Sequence, residues 1–265
     1  MLNLNRLFSE RRMKENMKHV YAFETKSDYG KYEVMIEGFL ARLKEYQMVL
    51  QQDYKLIDLP KGIVWTSAKN AMTLFSNLPI PAFTNKDLIY MSPDVKEWRE
   101  LFLSQLDGKD IPHIREFYET LTEDHVLTIV GHELTHHSDL FVDDFEDVRE
   151  ESIWFEEGMC EYLPRKFFLS DEEFYKVTSI EKELVNVFHE EYGNRSLDQF
   201  GSLSYTESLS SIMFDYWRSF LSVRYLVEER YENDVQQVFL EYRNWHESGR
   251  KVSLSEHFQI GLVRF

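Results

Sequence analysis

Residues 123–140 read EDHVLTIVGHELTHHSDL. Val126, Leu127, Ile129, Val130 and Leu134 recur at the spacing of a helix with one buried side. Thr120 to Glu123 matches a T-x-x-E capping box and predicts the start of that helix. Within it His132, Glu133 and His136 stand in the order H-E-x-x-H. Residues four apart on a helix lie about 40° apart around the axis and about 6 Å along it, so His132 and His136 can share one metal ion. Glu133, one position on, sits beside that ion but turned from it, where a carboxylate can serve as base on a water molecule. The competing reading is a solvated polar helix face, and the rest of the chain decides between the two.

N-terminal to this helix the pattern is mixed. HVYAFET (19–25) alternates and is β-rich, and GIVWTS (62–67) and KDLIYMS (86–92) read as two further short strands. Between the first two, residues 28–53 place Val34, Ile36, Phe39, Leu40, Leu43, Tyr46, Met48 and Leu50 at helical spacing. NLPIPAFTN (77–85) reads as a Pro-interrupted loop. From SPDVKEWRELFLSQL (92–106) onward the pattern is helical, with a turn at Asp107-Gly108 and helices at 147–163, 171–192, 206–231 and 234–246. The chain therefore divides into an α/β part over 1–115 and a helical part over 116–265, an α+β protein in which a small sheet packs on a mainly α-helical subdomain.

Bulk composition narrows the function classes. With 43% hydrophobic and 15% aromatic residues over 265 positions, the chain is globular and long enough for a full core. A net charge of −17 disfavours nucleic acid, whose phosphates call for Lys and Arg, and disfavours an anionic membrane surface. The single cysteine, Cys160, rules out an intrachain disulfide, so no oxidising compartment is needed. The first residues, MLNLNRLFSERRMKENMKH, lack the continuous apolar core of a signal peptide, and no stretch reaches 18 apolar residues. These features predict a cytoplasmic protein without membrane insertion.

A catalytic zinc takes three protein ligands and keeps one position open. A third histidine in the metzincin register is absent, since Asp139 and Val142 stand where Gly and His are required. A di-iron bundle is also excluded, because Glu133–His136 is the one E-x-x-H pair in the chain. A carboxylate on a following helix is the remaining source, and SIWFEEGMCEYL (152–163) offers one, with Asp139 and Asp143 as alternatives.

Here the chain resembles the gluzincin zinc peptidases, in particular their aminopeptidase-like branch. Their second motif runs W-x-x-E-G-x-x-x-Y, and Trp154, Glu157, Gly158 and Tyr162 fall on it in register. The resemblance implies a zincin-like, thermolysin-like catalytic architecture and a Zn²⁺ ion bound by His132, His136 and Glu157. It also implies hydrolysis of peptide or protein substrates with Glu133 as general base. Glu161, one turn after Glu157, is placed to accept from the other ring nitrogen of His132, whereas Glu156 is expected to point elsewhere. Gly158 is expected to let the two motif helices approach closely around the ion.

His137 falls about 100° from His136, off the ligand face, and is expected at the surface or behind a ligand. Cys160 is expected to pack as a small hydrophobe. The segment YWRSFLSVRYLVEERY (216–231) loosely resembles the helix from which the family supplies an oxyanion donor; on that match Tyr216 takes the role, with Tyr205 as rival. The family also holds substrate along an edge strand, for which 86–92 is the natural candidate. The aminopeptidase G-x-M-E-N stretch is missing, so exo- and endopeptidase remain open. Two other readings stay open as well: a catalytically silent binding protein on the same scaffold, and a metal-dependent hydrolase of a non-peptide amide or ester.

Overall fold

The computed structural model describes residues 17–76, 79–145, 147, 151–201 and 207–260. Strands β1 (Lys18–Ala22), β2 (Gly62–Thr66), β3 (Ala82–Thr84) and β4 (Leu88–Met91) form one sheet in the order β1-β2-β4-β3. Every residue of β2 is buried, as a continuous apolar run flanked on both sides requires. It pairs parallel with β1 and β4. Parallel neighbours need a crossover, and helix α1 (Lys26–Asp53) supplies the one between β1 and β2.

β3 lies in the stretch expected to be a loop. It is only three residues long and directly follows Pro81, which an edge strand tolerates at its start. It runs antiparallel to β4, and Ser92 N–H donating to Pro81 O prolongs the ladder by one bond. The edge expected at 86–92 is therefore corrected: β4 is an inner strand and β3 is the edge.

α1 is capped by Thr25, whose hydroxyl accepts from Asp28 N–H, and it buries Ile36, Phe39, Leu43, Tyr46 and Leu50. Val34 and Met48, counted in the apolar pattern, face solvent instead. The helical part follows as α2 (Val95–Ser104), α3 (Pro112–Glu119), α4 (Glu123–Thr135), α5 (Ile153–Phe168), α6 (Asp171–Tyr192), α7 (Leu209–Arg224), α8 (Val235–Glu247) and the short α9 (Leu254–His257). A π-turn, Tyr225–Arg230, prolongs α7. The chain is thus α+β and mainly helical, and one core runs from Phe39 and Trp65 of the sheet side to Trp245 of α8. Among the described residues no helix is long and apolar enough to cross a membrane.

α4 begins later than the T-x-x-E pattern indicated. Its N-cap is Thr122, which shares a capping box with His125, while Thr120 closes α3 by donating from its hydroxyl to Glu116 O. The buried Leu121 sits between the two caps. α5 was expected from 147 and starts at Ile153, because Glu151 has a left-handed φ of 68° that no helix accommodates.

Two glycines set the helix spacing. A Cβ on Gly131 of α4 would lie 2.6 Å from Pro164 Cβ and 2.8 Å from Phe168 of α5. A Cβ on Gly158 would lie 2.5 Å from Ser219 O of α7. The close approach allowed by Gly158 is therefore to α7, and Gly131 is the residue that brings the two motif helices together. Because Ser219 O is backbone and cannot rotate away, Gly158→Ala is expected to cost about 1–3 kcal/mol of stability. Gly30, exposed on α1 with nothing within 4 Å of an added methyl, is expected to gain about 0.5–1 kcal/mol on substitution by Ala. Urea unfolding midpoints of the two variants check both signs.

Candidate metal centre

α4 is buried nearly all round, which brings His132 and Glu133 inside the protein. His136 follows as its C-cap, still in right-handed helical conformation and donating its N–H to His132 O, so the two imidazoles stay one turn apart. α5 lies alongside. Its first turns are pinned by aromatic packing, with Phe155 stacked on Tyr242 at 4.3 Å between ring centroids. Trp154 Nε1 donates to Asp198 Oδ1 at 3.1 Å. Trp154 and Tyr162 of the second motif are thus packing residues that hold α5 in place, while Glu157 turns towards α4.

Three ligand atoms converge. His132 Nε2 is 3.1 Å from His136 Nε2 and 3.1 Å from Glu157 Oε2, and His136 Nε2 is 3.6 Å from that same oxygen. Donors about 2.0–2.1 Å from a tetrahedral zinc are about 3.3 Å apart, so the triangle has the size of a coordination face. Glu157 Oε2 is buried without an aligned hydrogen bond, although both imidazoles lie within ion-pair range, and a cation at the centre of the triangle would satisfy it. A His₂Glu donor set of this size fits Zn²⁺.

The far side of each imidazole is held by a carboxylate. His136 Nδ1 lies 2.7 Å from Glu156 Oε1, and His132 Nδ1 lies 3.3 Å from Glu161 Oε1. Donation from His136 Nδ1–H to Glu156 leaves its Nε2 with a lone pair, the tautomer that a metal requires, whereas His132 Nδ1 has Glu161 within ion-pair range but makes no aligned hydrogen bond. Glu161 lies beside His132 Nδ1 within ion-pair range rather than as its hydrogen-bond acceptor. Glu156, expected to point elsewhere, is instead buried and serves His136. The sequence signal was the adjacent pair Glu156-Glu157. Neighbours on a helix diverge by about 100°, and the two nitrogens of one imidazole also face different directions.

The electrostatics follow from burying so many acids. Burial raises Glu133, and although the nearby imidazoles oppose this, its carboxyl is pushed up to about 7. Burial alone would lower His132, but the carboxylates of Glu157 and Glu161 outweigh it and lift the imidazole to about 9. Burial would raise Glu157, yet His136 and His132 beside it hold its carboxyl well below the usual range.

Glu133 and Tyr216 line the same cavity as the three ligands, a space of about 820 Å³. The Tyr216 ring lies 6.2 Å from that of His132. Ala82, Phe83 and Thr84 of β3 form part of the wall, and Trp98, Phe102 and Ile129 make it apolar on one side. Ile129, assigned by its spacing to the buried side of α4, is thus a cavity residue. His137 is off the ligand face as its angle implied, but it is buried rather than at the surface. Its Nε2 meets Thr84 Oγ1 at 2.8 Å and ties α4 to β3, while burial pushes it down to about 3 and keeps it neutral. Cys160 is a buried, neutral thiol, its pKa raised by burial to about 12. Asp143 accepts from Ser152 Oγ at 2.6 Å and pairs with Arg250, away from the ligand triangle; Asp139 is likewise outside that cluster. Tyr205 lies outside the described residues.

Comparison with protein-family models, curated proteins and solved structures finds no significant match to this chain. The side chains themselves therefore have to carry any functional conclusion.

Two measurements follow from the geometry. Glu156→Ala is expected to weaken zinc binding about 10–100-fold, read by competition with a chromophoric chelator. Before a metal binds, His132, lifted to about 9, is protonated at pH 7. A metal takes the neutral imidazole, so zinc uptake at pH 7 is expected to release protons and to tighten as pH rises towards 9. Calorimetry in two buffers of different ionisation enthalpy reads this release directly, and identical heats in both would refute it.

Proposed function

We propose that this chain is a zinc-dependent peptidase of gluzincin type. The observation that carries the proposal is the triangle of His132 Nε2, His136 Nε2 and Glu157 Oε2, with the unbonded Glu157 oxygen at one corner and Glu133 and Tyr216 on the adjoining cavity. The register of H-E-x-x-H and W-x-x-E-G-x-x-x-Y supports the same reading from the sequence.

A zinc ion held by His132, His136 and Glu157 supplies Lewis acidity towards a water molecule and towards the scissile carbonyl. Glu133, raised by burial to about 7, takes a proton from the attacking water and passes it to the nitrogen as the C–N bond breaks. Tyr216 donates from its phenol to the carbonyl oxygen as negative charge builds there. Glu156 keeps the His136 imidazole in the metal-binding tautomer throughout, and Glu161 keeps a negative charge beside the Nδ1 side of His132. The substrate is a peptide or protein segment whose backbone adds antiparallel or parallel to the outer edge of β3, a mode that grips main chain without selecting a sequence.

The test is a digest of a mixed peptide library beside metal analysis. The natural chain is expected to carry zinc and to cleave peptides. Glu133→Gln is expected to keep its zinc and lose about 10²–10⁴-fold in rate, and His136→Ala to lose the metal. A zinc-loaded chain inert towards every peptide would sink the proposal, as would a Glu133→Gln variant as fast as the natural chain.

A further inference from the structure

Arg165 lies one turn after Glu161 on α5, and its Nη2 is 2.5 Å from Glu161 Oε2. The same guanidinium meets Glu181 of α6 twice, Nη1 to Oε2 at 2.9 Å and Nη2 to Oε1 at 2.9 Å. Its flat face covers the Phe220 ring of α7, with 4.3 Å from the guanidinium carbon to the ring centroid. Only 13% of the Arg165 side chain and 8% of the Glu181 side chain are exposed. A planar fork bound at two nitrogens by one carboxylate and stacked on a ring has a single orientation. Glu161 meets that fork with Oε2, and its remaining oxygen, Oε1, is the one that faces His132 Nδ1.

We propose that Arg165 is a positioning residue of the metal centre: anchored by Glu181 and Phe220, it fixes Glu161 so that Oε1 stays within ion-pair range of His132 Nδ1, a charge that steadies the ring whose Nε2 faces the other two ligand atoms. The inference rests on the zinc-peptidase reading above. A row of contacts, Glu181–Arg165–Glu161–His132, then joins α6 to the ligand on α4 through α5. Glu161 needs such an anchor more than Glu156 does. Its side chain is 20% exposed where that of Glu156 is 2% exposed, and its contact to imidazole is 3.3 Å where that of Glu156 is 2.7 Å. Without the guanidinium, Glu161 is free to turn to the solvent of the cavity, and the Nδ1 side of the His132 ring loses its neighbouring carboxylate. Lysine in place of Arg165 keeps the charge but has no fork to hold two carboxylates at fixed angles.

The alternative is that Arg165 only ties α5 to α6, and the two roles differ in whether the effect passes through Glu161. The experiment measures zinc affinity by chelator competition, and the visible absorption of the Co²⁺-loaded protein, in the full chain and its variants. Arg165→Met is expected to weaken zinc about tenfold and to alter the cobalt bands; Arg165→Lys is expected to recover only part of the loss. In a Glu161→Gln background, Arg165→Met is expected to change the affinity little further. Unchanged affinity and spectrum in both Arg165 variants would overturn the inference, as would a tenfold loss persisting in the Glu161→Gln background. Should Arg165→Met not fold because it strands Glu181, the charge-balanced pair Arg165→Met with Glu181→Gln, together with Arg165→Lys, carries the same expectations. If the natural chain itself binds no zinc, the peptidase reading fails first and takes this inference with it; zinc bound normally by the natural chain and equally by the variants defeats the inference alone.

Discussion

Two imidazoles and a carboxylate held within 3.6 Å of one another, inside the protein, form the constraint on which the rest of the structure depends. Such a cluster is costly to bury unless charge is balanced and every polar atom is partnered. Glu133, Glu156, Glu157 and Glu181 are buried in and beside it, and Arg165, with 13% of its side chain exposed, brings a positive charge against Glu161 and Glu181. The surrounding architecture meets this imbalance by placing acids where they face imidazole nitrogens and by leaving one carboxylate oxygen, Glu157 Oε2, directed at the gap between them. A divalent cation in that gap balances the local charge more directly than protonated histidines do.

The helices around the cluster can be read as the means of holding it. Gly131 lets α4 press on Pro164 and Phe168 of α5, and Gly158 lets α5 press on the backbone of α7. α5 is thus clamped between the helix that carries the histidines and the helix that carries Tyr216. The stacked rings of Phe155, Tyr242 and Phe258 fix its N-terminal end. The sheet contributes at a distance: β3 reaches the same cavity, and the neutral His137 joins it to α4 through Thr84.

What was legible in the sequence was whatever one helix determines locally. The H-E-x-x-H spacing fixed His132 and His136 on one face, and the second motif brought Glu157 and Glu161 into register one turn apart. What was not legible depends on how two elements meet. Glu156 diverges from Glu157 on its own helix, yet the Nδ1 atom it serves also points away from Nε2. That Gly158 meets α7 rather than α4 depends on which helix lies on which side of α5, which a sequence does not say. β3 was lost because three residues after Pro81 show no alternation, and an edge strand of that length draws its definition from its partner β4. Capping erred by two residues because Thr120 and Thr122 both have a helix end to serve.

Finally, the arrangement bears on whether a metal here would be structural or reactive. A structural zinc is closed by four protein ligands, whereas a catalytic one keeps a position for water or substrate. Among the described residues the cluster offers three ligands, and its remaining side opens on a cavity of about 820 Å³. A fourth carboxylate, Glu133, stands at that opening and is outside the ligand triangle, although it is buried at the cost of a pKa raised to about 7. Stability alone gives no reason to bury an acid beside an open coordination side, since a neutral amide of the same shape avoids the cost of burying a charge. A carboxylate in that place is what activation of a water molecule would need, so Glu133, rather than the ligands, is the side chain that would separate an enzyme from a protein that merely holds a metal.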